Sequence, residues 1–175
     1  MNLLKPFAEN PLTRSISIET TSQKTTPTEL ILEFTIRGDI GQVCFAESSL
    51  VAARRDELWK HTCLECFFST GLEESAPYFE VNCAPSGDWN AYAFSSYRQG
   101  MTPSQNLGVK LTHRESSENE AFFRISVSGD DLLHARHLGM TAVIEFTDGT
   151  RSFFALAHPG PQADFHLKKS FSISL

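Results

Sequence analysis

The sequence of 175 residues lacks any apolar run close to the ~20 residues that a membrane-spanning helix needs. It also lacks a basic cluster, because Lys and Arg are scattered and no run is longer than Arg54-Arg55 or Lys168-Lys169. The formal charge of −6 argues against partners such as nucleic acid or an anionic membrane. A composition of 41% apolar and 21% charged residues is instead typical of a soluble globular domain.

The N-terminal segment has no long apolar stretch of the kind found in export signals. Its sequence, MNLLKPFAENPLTRS, is interrupted by Pro6, Glu9 and Asn10. We therefore expect no signal peptide and a cytoplasmic location. In that compartment cysteines are reduced thiols rather than disulfides. The four concerned are Cys44, Cys63, Cys66 and Cys83.

Helical periodicity is almost absent, and short alternating segments take its place. In LILEFTIRGD, Leu30, Leu32, Phe34 and Ile36 fall on one face of a strand, and Gly38-Asp39 closes it. About ten such segments follow one another, with turn residues every ~8–12 positions. The pattern predicts a single all-β domain over residues 1–175, a two-sheet antiparallel β-sandwich of jelly-roll or immunoglobulin-like type.

The segment from Leu58 to Met101 is the centre of the sequence, since it holds both tryptophans, all three tyrosines and three of the four cysteines. It reads as three consecutive strands. Alternation predicts that one face carries a polar row. That row consists of His61, Cys63, Glu65, Tyr78, Glu80 and Asn82. The third strand can join it in either register, with Trp89, Ala91 and Ala93 or with Asn90 and Tyr92.

A sandwich needs only one face of each sheet for its core, so the other face is free to bind a ligand. Aromatic rings stack on the apolar faces of sugars, and polar side chains hydrogen-bond the hydroxyl groups. Each aromatic taken singly can equally fill the core or cover a sheet edge. The ligand-binding residues predicted from this segment are Trp59, His61, Glu65, Tyr78, Glu80, Asn82, Trp89, Tyr92 and Arg98.

A second cluster lies on the Pro/Gly-rich stretch HPGPQADFH. His158, Asp164 and His166 could ligate zinc or a similar cation, and they are also candidate ligand-binding residues. The alternative is a loop in which Asp164 caps backbone amides and the imidazoles hydrogen-bond to carbonyl groups.

Cys63 lies two residues from His61 on the same strand face, which permits a nucleophile–base pair. Nucleophiles usually lie at turns or helix starts, whereas Cys63 is in mid-strand. We therefore interpret it as a packed cysteine.

Three segments together resemble the bacterial DOMON-like domains, which are related to family-nine carbohydrate-binding modules. They are LWKHTCLECFF, YFEVNCAPSGDWNAYAFSSYRQGM and SFFALAHPGPQADFH, and the resemblance spans residues 30–175. It implies a β-sandwich that binds sugars or, in other DOMON branches, haem through Met and His. Glu65 and the YFEVN strand match the acidic and Asn-bearing strands beside the family-nine cleft. Met101 and Met140 are present, but neither lies in a haem motif.

The sequence thus favours a non-enzymatic module, without a required cofactor, that binds a saccharide or a similar polar small molecule. One alternative is a metal-binding protein or metal-dependent enzyme that uses His158, Asp164 and His166. Another is a haem-binding domain.

Overall fold

The computed structural model describes residues 1–175 and is built almost entirely from strands. Besides four short 3-10 turns it has one five-residue helix, α1 (Pro11–Ser15). No helix combines the length and the apolar character required to cross a bilayer. The strands are β1 (Asn2–Pro6), β2 (Ile16–Thr26), β3 (Glu29–Gly38), β4 (Cys63–Ser69), β5 (Tyr78–Cys83), β6 (Trp89–Phe94), β7 (Thr102–Pro103), β8 (Gly108–Ser116), β9 (Glu120–Ser128), β10 (His137–Glu145), β11 (Arg151–Ala155) and β12 (Ile173–Ser174).

All strand pairs are antiparallel, as the sequence predicts. Their order is β7-β6-β5-β4-β10-β11-β1-β2-β3-β9-β8, and β12 pairs with the beginning of β10. The two halves are joined by β1, in which Lys5 pairs with Ala155 of β11 and Leu4 pairs with Ile18 of β2. The strands consequently form one curled antiparallel sheet, which confirms the all-β antiparallel part of the prediction.

The main core lies on one face of this curled sheet. In β3 the residues Leu30, Leu32, Phe34 and Ile36 are all buried, and the intervening residues up to Thr35 are half-buried, as the alternation predicts. Each fully buried aliphatic or phenyl side chain stabilises the fold by about 1.5–3 kcal/mol relative to exposure. The other half of the sheet supplies the opposing core residues, which include Leu64, Cys66 and Phe68 of β4 and Met140, Ala142 and Ile144 of β10.

The outer face of β4 and its neighbours is covered rather than exposed. Every residue of β4 is buried, whereas a strand with one exposed face would alternate. Residues 156–172, which follow β11, pack over this face. The prediction that this face is open to solvent is therefore wrong for most of the polar row. The second apolar cluster formed here contains Cys63, Phe67, Tyr78, Tyr92, Phe94, Val143, Ala155, Phe165 and Phe171.

Two turns predicted from the sequence are present, but one is shorter than predicted. The polar composition of Thr20 to Thr28, which includes Pro27, predicts a turn or hairpin loop. Because β2 continues to Thr26 in pairing with β3, the turn is limited to Pro27 and Thr28. Threonine favours extended backbone, so its polarity is a poor turn signal. The dipeptide Asp148-Gly149 predicts a hairpin turn, and the structure has this turn between β10 and β11, with a φ of +84° at Gly149.

Candidate functional site

A cavity of about 330 Å³ lies between the outer face of the β6-β5-β4-β10-β11 half and the loops that cover it. Its walls are largely aromatic and its floor is polar. The lining residues are Trp59, Glu65, Phe67, Glu80, Phe94, Arg98, Met101, Val143, Phe153, Ala163, Phe165 and His166.

Strand register determines which side chains reach the cavity. Glu65 pairs with Asn82, and Phe67 pairs with Glu80, so all four point to the same face. On the next strand Glu80 pairs with Tyr92. Of the two registers left open by the sequence, the structure therefore has the one in which Asn90 and Tyr92 join the polar row. Trp89, Ala91 and Ala93 point to the opposite face.

Glu65 is the most deeply buried ionisable group of the cavity, with 2% of its surface exposed. The Thr141 hydroxyl donates to Oε2 at 3.3 Å, but Oε1 has no hydrogen-bond partner. Burial, followed by the charge of Glu80, raises the pKa of Glu65 well above its usual range; the Thr141 hydroxyl and the Cys63 thiol offset only part of this. The cavity thus contains an unsatisfied acceptor, which is costly without a ligand.

Glu80 is also buried, and one of its oxygens is fixed by the protein. Asn82 Nδ2 donates to Oε1 at 2.8 Å. Burial raises the pKa of Glu80, and the hydrogen bond from Asn82 and the charge of Arg98 lower it by less. Its Oε2 lies 3.9 Å from His166 Nε2, beyond hydrogen-bond distance.

His166 is held as a neutral imidazole. Burial, assisted by the charge of Arg98 and opposed by Asp164, lowers its pKa to about 4. Its Nδ1 lies 2.7 Å from the Tyr78 hydroxyl, which also accepts the Arg98 backbone N–H at 3.2 Å. Burial is the main cause that raises the pKa of Tyr78 to about 12, so the hydroxyl keeps its proton and donates it to Nδ1. We therefore assign the ring proton of His166 to Nε2, which faces Glu80.

An ion pair forms the rim. Arg98 Nη2 donates to Asp164 Oδ1 at 2.9 Å, and Tyr97 donates to Oδ2. Burial alone would raise the pKa of Asp164, but hydrogen bonds from Tyr97, Arg98 and the His166 amide lower it below its usual value. Arg98 has a φ of +54°, uncommon for a residue with a side chain. Half of its side chain is exposed, which places it where the cavity meets solvent.

At the other end of the cavity, hydrogen bonds position Trp59, which forms one of the walls. Trp59 follows an irregular loop and packs edge-on against Tyr92, with ring centroids 5.8 Å apart. The Tyr92 hydroxyl donates to Asp56 Oδ1 at 2.7 Å, and Asn90 Nδ2 donates to the same oxygen at 3.0 Å. These contacts hold the loop before β4 against β6, and they fix the indole over the cavity.

The structure brings most of the sequence-predicted site residues together. Trp59, Glu65, Glu80, Arg98 and His166 line the cavity. Four more support these side chains from behind or from the rim. They are Tyr78, Asn82, Tyr92 and Asp164.

Three of the predicted residues lie elsewhere. His61 is exposed, and its Nδ1 lies 2.8 Å from Glu145 Oε2. Trp89 packs against the main core with the Arg54 guanidinium 4.3 Å over its ring, because its register points it inward. His158 Nε2 donates to the Lys5 carbonyl at 2.8 Å.

The structure does not have the geometry that the predicted metal site requires. His158, Asp164 and His166 each bond to a different part of the chain, as described above. No group of three or more His, Cys, Asp or Glu side chains is arranged to hold a metal ion. The alternative matches this loop in part: Asp164 accepts from the His166 amide and His158 bonds to a carbonyl, but the His166 imidazole bonds to the Tyr78 hydroxyl instead.

Cys63 is packed in the interior, in agreement with its interpretation as a packed cysteine. It is completely buried, and its thiol donates weakly to Asn82 Oδ1 at 3.9 Å. Burial is the first cause that raises its pKa well above the ordinary thiol value, and nearby carboxylates add to the shift. The group is thus a protonated thiol rather than a nucleophilic thiolate.

The sequence analysis does not predict any of the four phenylalanines that line the cavity. Phe67 lies two residues after Glu65, and Phe94 lies two residues after Tyr92, so extending the alternation would have found both. Phe153 and Phe165 gave no comparable signal, because they reach the cavity only through the pairing of β11 and the return of the late loop.

The methionines considered for haem are separated. Met140 is buried in the main core, whereas Met101 lines the cavity together with His166. Both imidazole nitrogens of His166 face protein groups, Tyr78 on one side and Glu80 on the other. No protein-family model matches the chain, and no curated protein is significantly similar to it in sequence.

Proposed function

We propose that this chain is a non-enzymatic ligand-binding domain whose cavity takes a carbohydrate or a similar polar small molecule. The observation that carries the proposal is the convergence of buried polar groups and aromatic walls on one cavity. Glu65 offers an unpartnered oxygen, and His166 Nε2–H has no acceptor within hydrogen-bond distance. A ligand with several hydroxyl groups would satisfy both, since each hydroxyl can donate and accept.

The walls fit the same class of ligand. Trp59, Phe67, Phe94 and Phe153 supply apolar surface around the polar floor. Sugars combine apolar ring faces with polar edges, so they need both kinds of surface. The volume of about 330 Å³ is at the small end of the ~300–1,000 Å³ range of ligand sites, which favours a ligand of about one sugar ring.

Binding is favoured over catalysis by the protonation states of the site. Cys63 is a protonated thiol, and His166 is a weak base because its pKa is lowered to about 4. A nucleophile–base pair at neutral pH needs a lowered thiol pKa or a base that titrates near 7. These two groups meet neither requirement.

The relation to DOMON-like domains and family-nine modules is part of the proposal. The all-β antiparallel architecture agrees with it, and we propose that the two halves of the curled sheet act as the two layers of a sandwich around the main core. The proposal does not require a pair of tryptophans, since only Trp59 lines the cavity.

The test is calorimetric titration of the purified protein with a broad panel of mono- and disaccharides. We expect binding by at least one sugar, which Trp59→Ala weakens by about tenfold or more. Trp89→Ala is the matched control: the same truncation on the opposite face should leave the affinity unchanged. If no sugar binds at about millimolar concentration, the proposal fails. A Soret band on addition of hemin would replace it with the haem alternative.

A further inference from the structure

We infer that the ligand of this cavity carries a protonated amine, as an amino sugar does, and that Glu65 and Glu80 bind its ammonium group. The inference rests on the proposed function, because it names the chemical class that the same cavity would take. Three independent features of the cavity support it.

The first feature is the balance of charge. Glu65 and Glu80 are both buried at the cavity, and neither forms an ion pair with Lys or Arg. Arg98, whose charge acts on Glu80, is already paired with Asp164. Lys168 donates its ammonium hydrogens to two backbone carbonyls away from the cavity. The floor therefore has two acidic groups, and Arg98, the one Lys or Arg residue that lines the cavity, is already paired with Asp164 at the rim.

The second feature is the free oxygen of Glu65. Its Oε1 is buried and has no donor, while Oε2 receives the long Thr141 contact of 3.3 Å. An ammonium group has three N–H donors and a charge, so it can bond Oε1 and remain within reach of Glu80. A hydroxyl group would satisfy Oε1 but would supply no charge. Burial raises the pKa of both Glu65 and Glu80, and an ammonium group bound between them would favour their ionised forms by supplying the missing counter-charge.

The third feature is the aromatic wall. The cavity residues Trp59, Phe67, Phe94, Phe153 and Phe165 surround the acidic floor. The faces of such rings attract cations, with Trp the strongest, and the attraction grows when water is excluded. A polar cavity for an uncharged sugar needs stacking surface on one or two sides. Five aromatic residues around a pair of acids suit a cation better.

Neutral His166 agrees with a cationic ligand. Because burial and Arg98 keep the imidazole uncharged, it does not repel an ammonium group. Its hydrogen bond from Tyr78 fixes the ring with Nε2–H toward Glu80. The imidazole thus remains a neutral donor beside the acidic pair.

The experiment is a calorimetric comparison of D-glucosamine with D-glucose at about pH 6, where amines are protonated. Cyclohexylamine and cyclohexanol form a second pair without sugar hydroxyls. We expect glucosamine to bind at least about tenfold more tightly than glucose. Glu65→Gln and Glu80→Gln should each remove most of this difference. Glu145→Gln, on β10 but outside the cavity, is the matched control and should keep it.

The outcomes separate this inference from the proposed function. Equal binding of glucosamine and glucose would overturn the inference and leave the saccharide function in place. Binding of cyclohexylamine without binding of either sugar would support the amine inference and overturn the saccharide function. If none of the four compounds binds at about millimolar concentration, both fail.

Discussion

Glu65 of β4 and Glu80 of β5 are diagonal neighbours on one face of the sheet: Glu65 pairs with Asn82, two residues beyond Glu80. Such diagonal positions on neighbouring strands are about 7–8 Å apart, so two long side chains can reach each other. Two buried carboxyl groups at this spacing disfavour each other's ionisation. Binding, stability and pH response at this site are therefore properties of the pair.

The first prediction concerns the pH dependence of stability. Because the folded-state pKa of Glu65 is raised, the folded protein binds this proton more tightly than the unfolded chain. Stability from this group is full below the unfolded value of about 4.5 and is lost as pH rises through the raised pKa. Glu65→Gln should stabilise the protein at neutral and alkaline pH, and the gain should shrink toward about pH 4. Urea denaturation midpoints of both proteins across this pH range measure it.

Glu33→Gln provides a control of opposite sign. Hydrogen bonds from Thr21 and Arg124 lower the pKa of Glu33, so its stabilising effect is present above the unfolded pKa and is lost on acidification. Its replacement should lower the denaturation midpoint at neutral pH and have little effect at low pH. Parallel curves for the two variants would contradict the burial argument for Glu65.

The second prediction concerns the thiols. Cys63, Cys66 and Cys83 are buried, and burial raises the pKa of each, whereas Cys44 is partly exposed. A water-soluble disulfide reagent should modify Cys44 rapidly in the folded protein and all four thiols only after denaturation. Cys44→Ala should remove the rapid phase. Rapid modification of any of the three remaining thiols in that variant would show that the β4–β5 region opens.

The third prediction tests a turn. Gly129 has a φ of +143°, and a Cβ there would lie 1.7 Å from the Asn106 carbonyl oxygen. Gly129→Ala should therefore destabilise the protein by about 2–4 kcal/mol, since the backbone must move. Gly149 also has a positive φ, but a Cβ added there would have no neighbour within 4 Å. Gly149→Ala should cost only about 1–2 kcal/mol, the penalty of the left-handed conformation itself. Equal losses in urea denaturation would contradict the steric argument.

The sequence predicted the strands better than their arrangement. Alternation in β3 identified its buried face because aliphatic residues occupy every second position. It could not identify the joining role of β1, which depends on pairing with β11 from the other end of the chain. Local pattern reports which face is apolar, whereas sheet order depends on long-range contacts.

For the candidate site, too, the local pattern predicted strand faces but not strand pairing. Glu65 and Glu80 were predicted because polar residues stand out on a strand whose neighbours are apolar. Trp89 was misplaced, since β6 has aromatic residues at both parities and only the pairing of Asn82 with Asn90 decides between them. The covering loop was not predicted to close the outer face, because HPGPQADFH has too few apolar residues to indicate burial.

The last prediction tests the link between the covering loop and the cavity. The Tyr78 hydroxyl donates to His166 Nδ1 and accepts the Arg98 amide, so Tyr78→Phe leaves both without a partner while the buried ring stays in place. We expect a loss of about 1–3 kcal/mol in unfolding free energy. We also expect His166 to change from the Nε2–H tautomer to a mixture, visible in its imidazole ¹⁵N chemical shifts. Tyr92→Phe removes a hydroxyl that bonds Asp56 instead, so it should destabilise the protein without changing those shifts. Unchanged His166 shifts in Tyr78→Phe would mean that this hydroxyl does not set the direction of the ring proton, and the imidazole would then lose its assigned role as a donor toward Glu80.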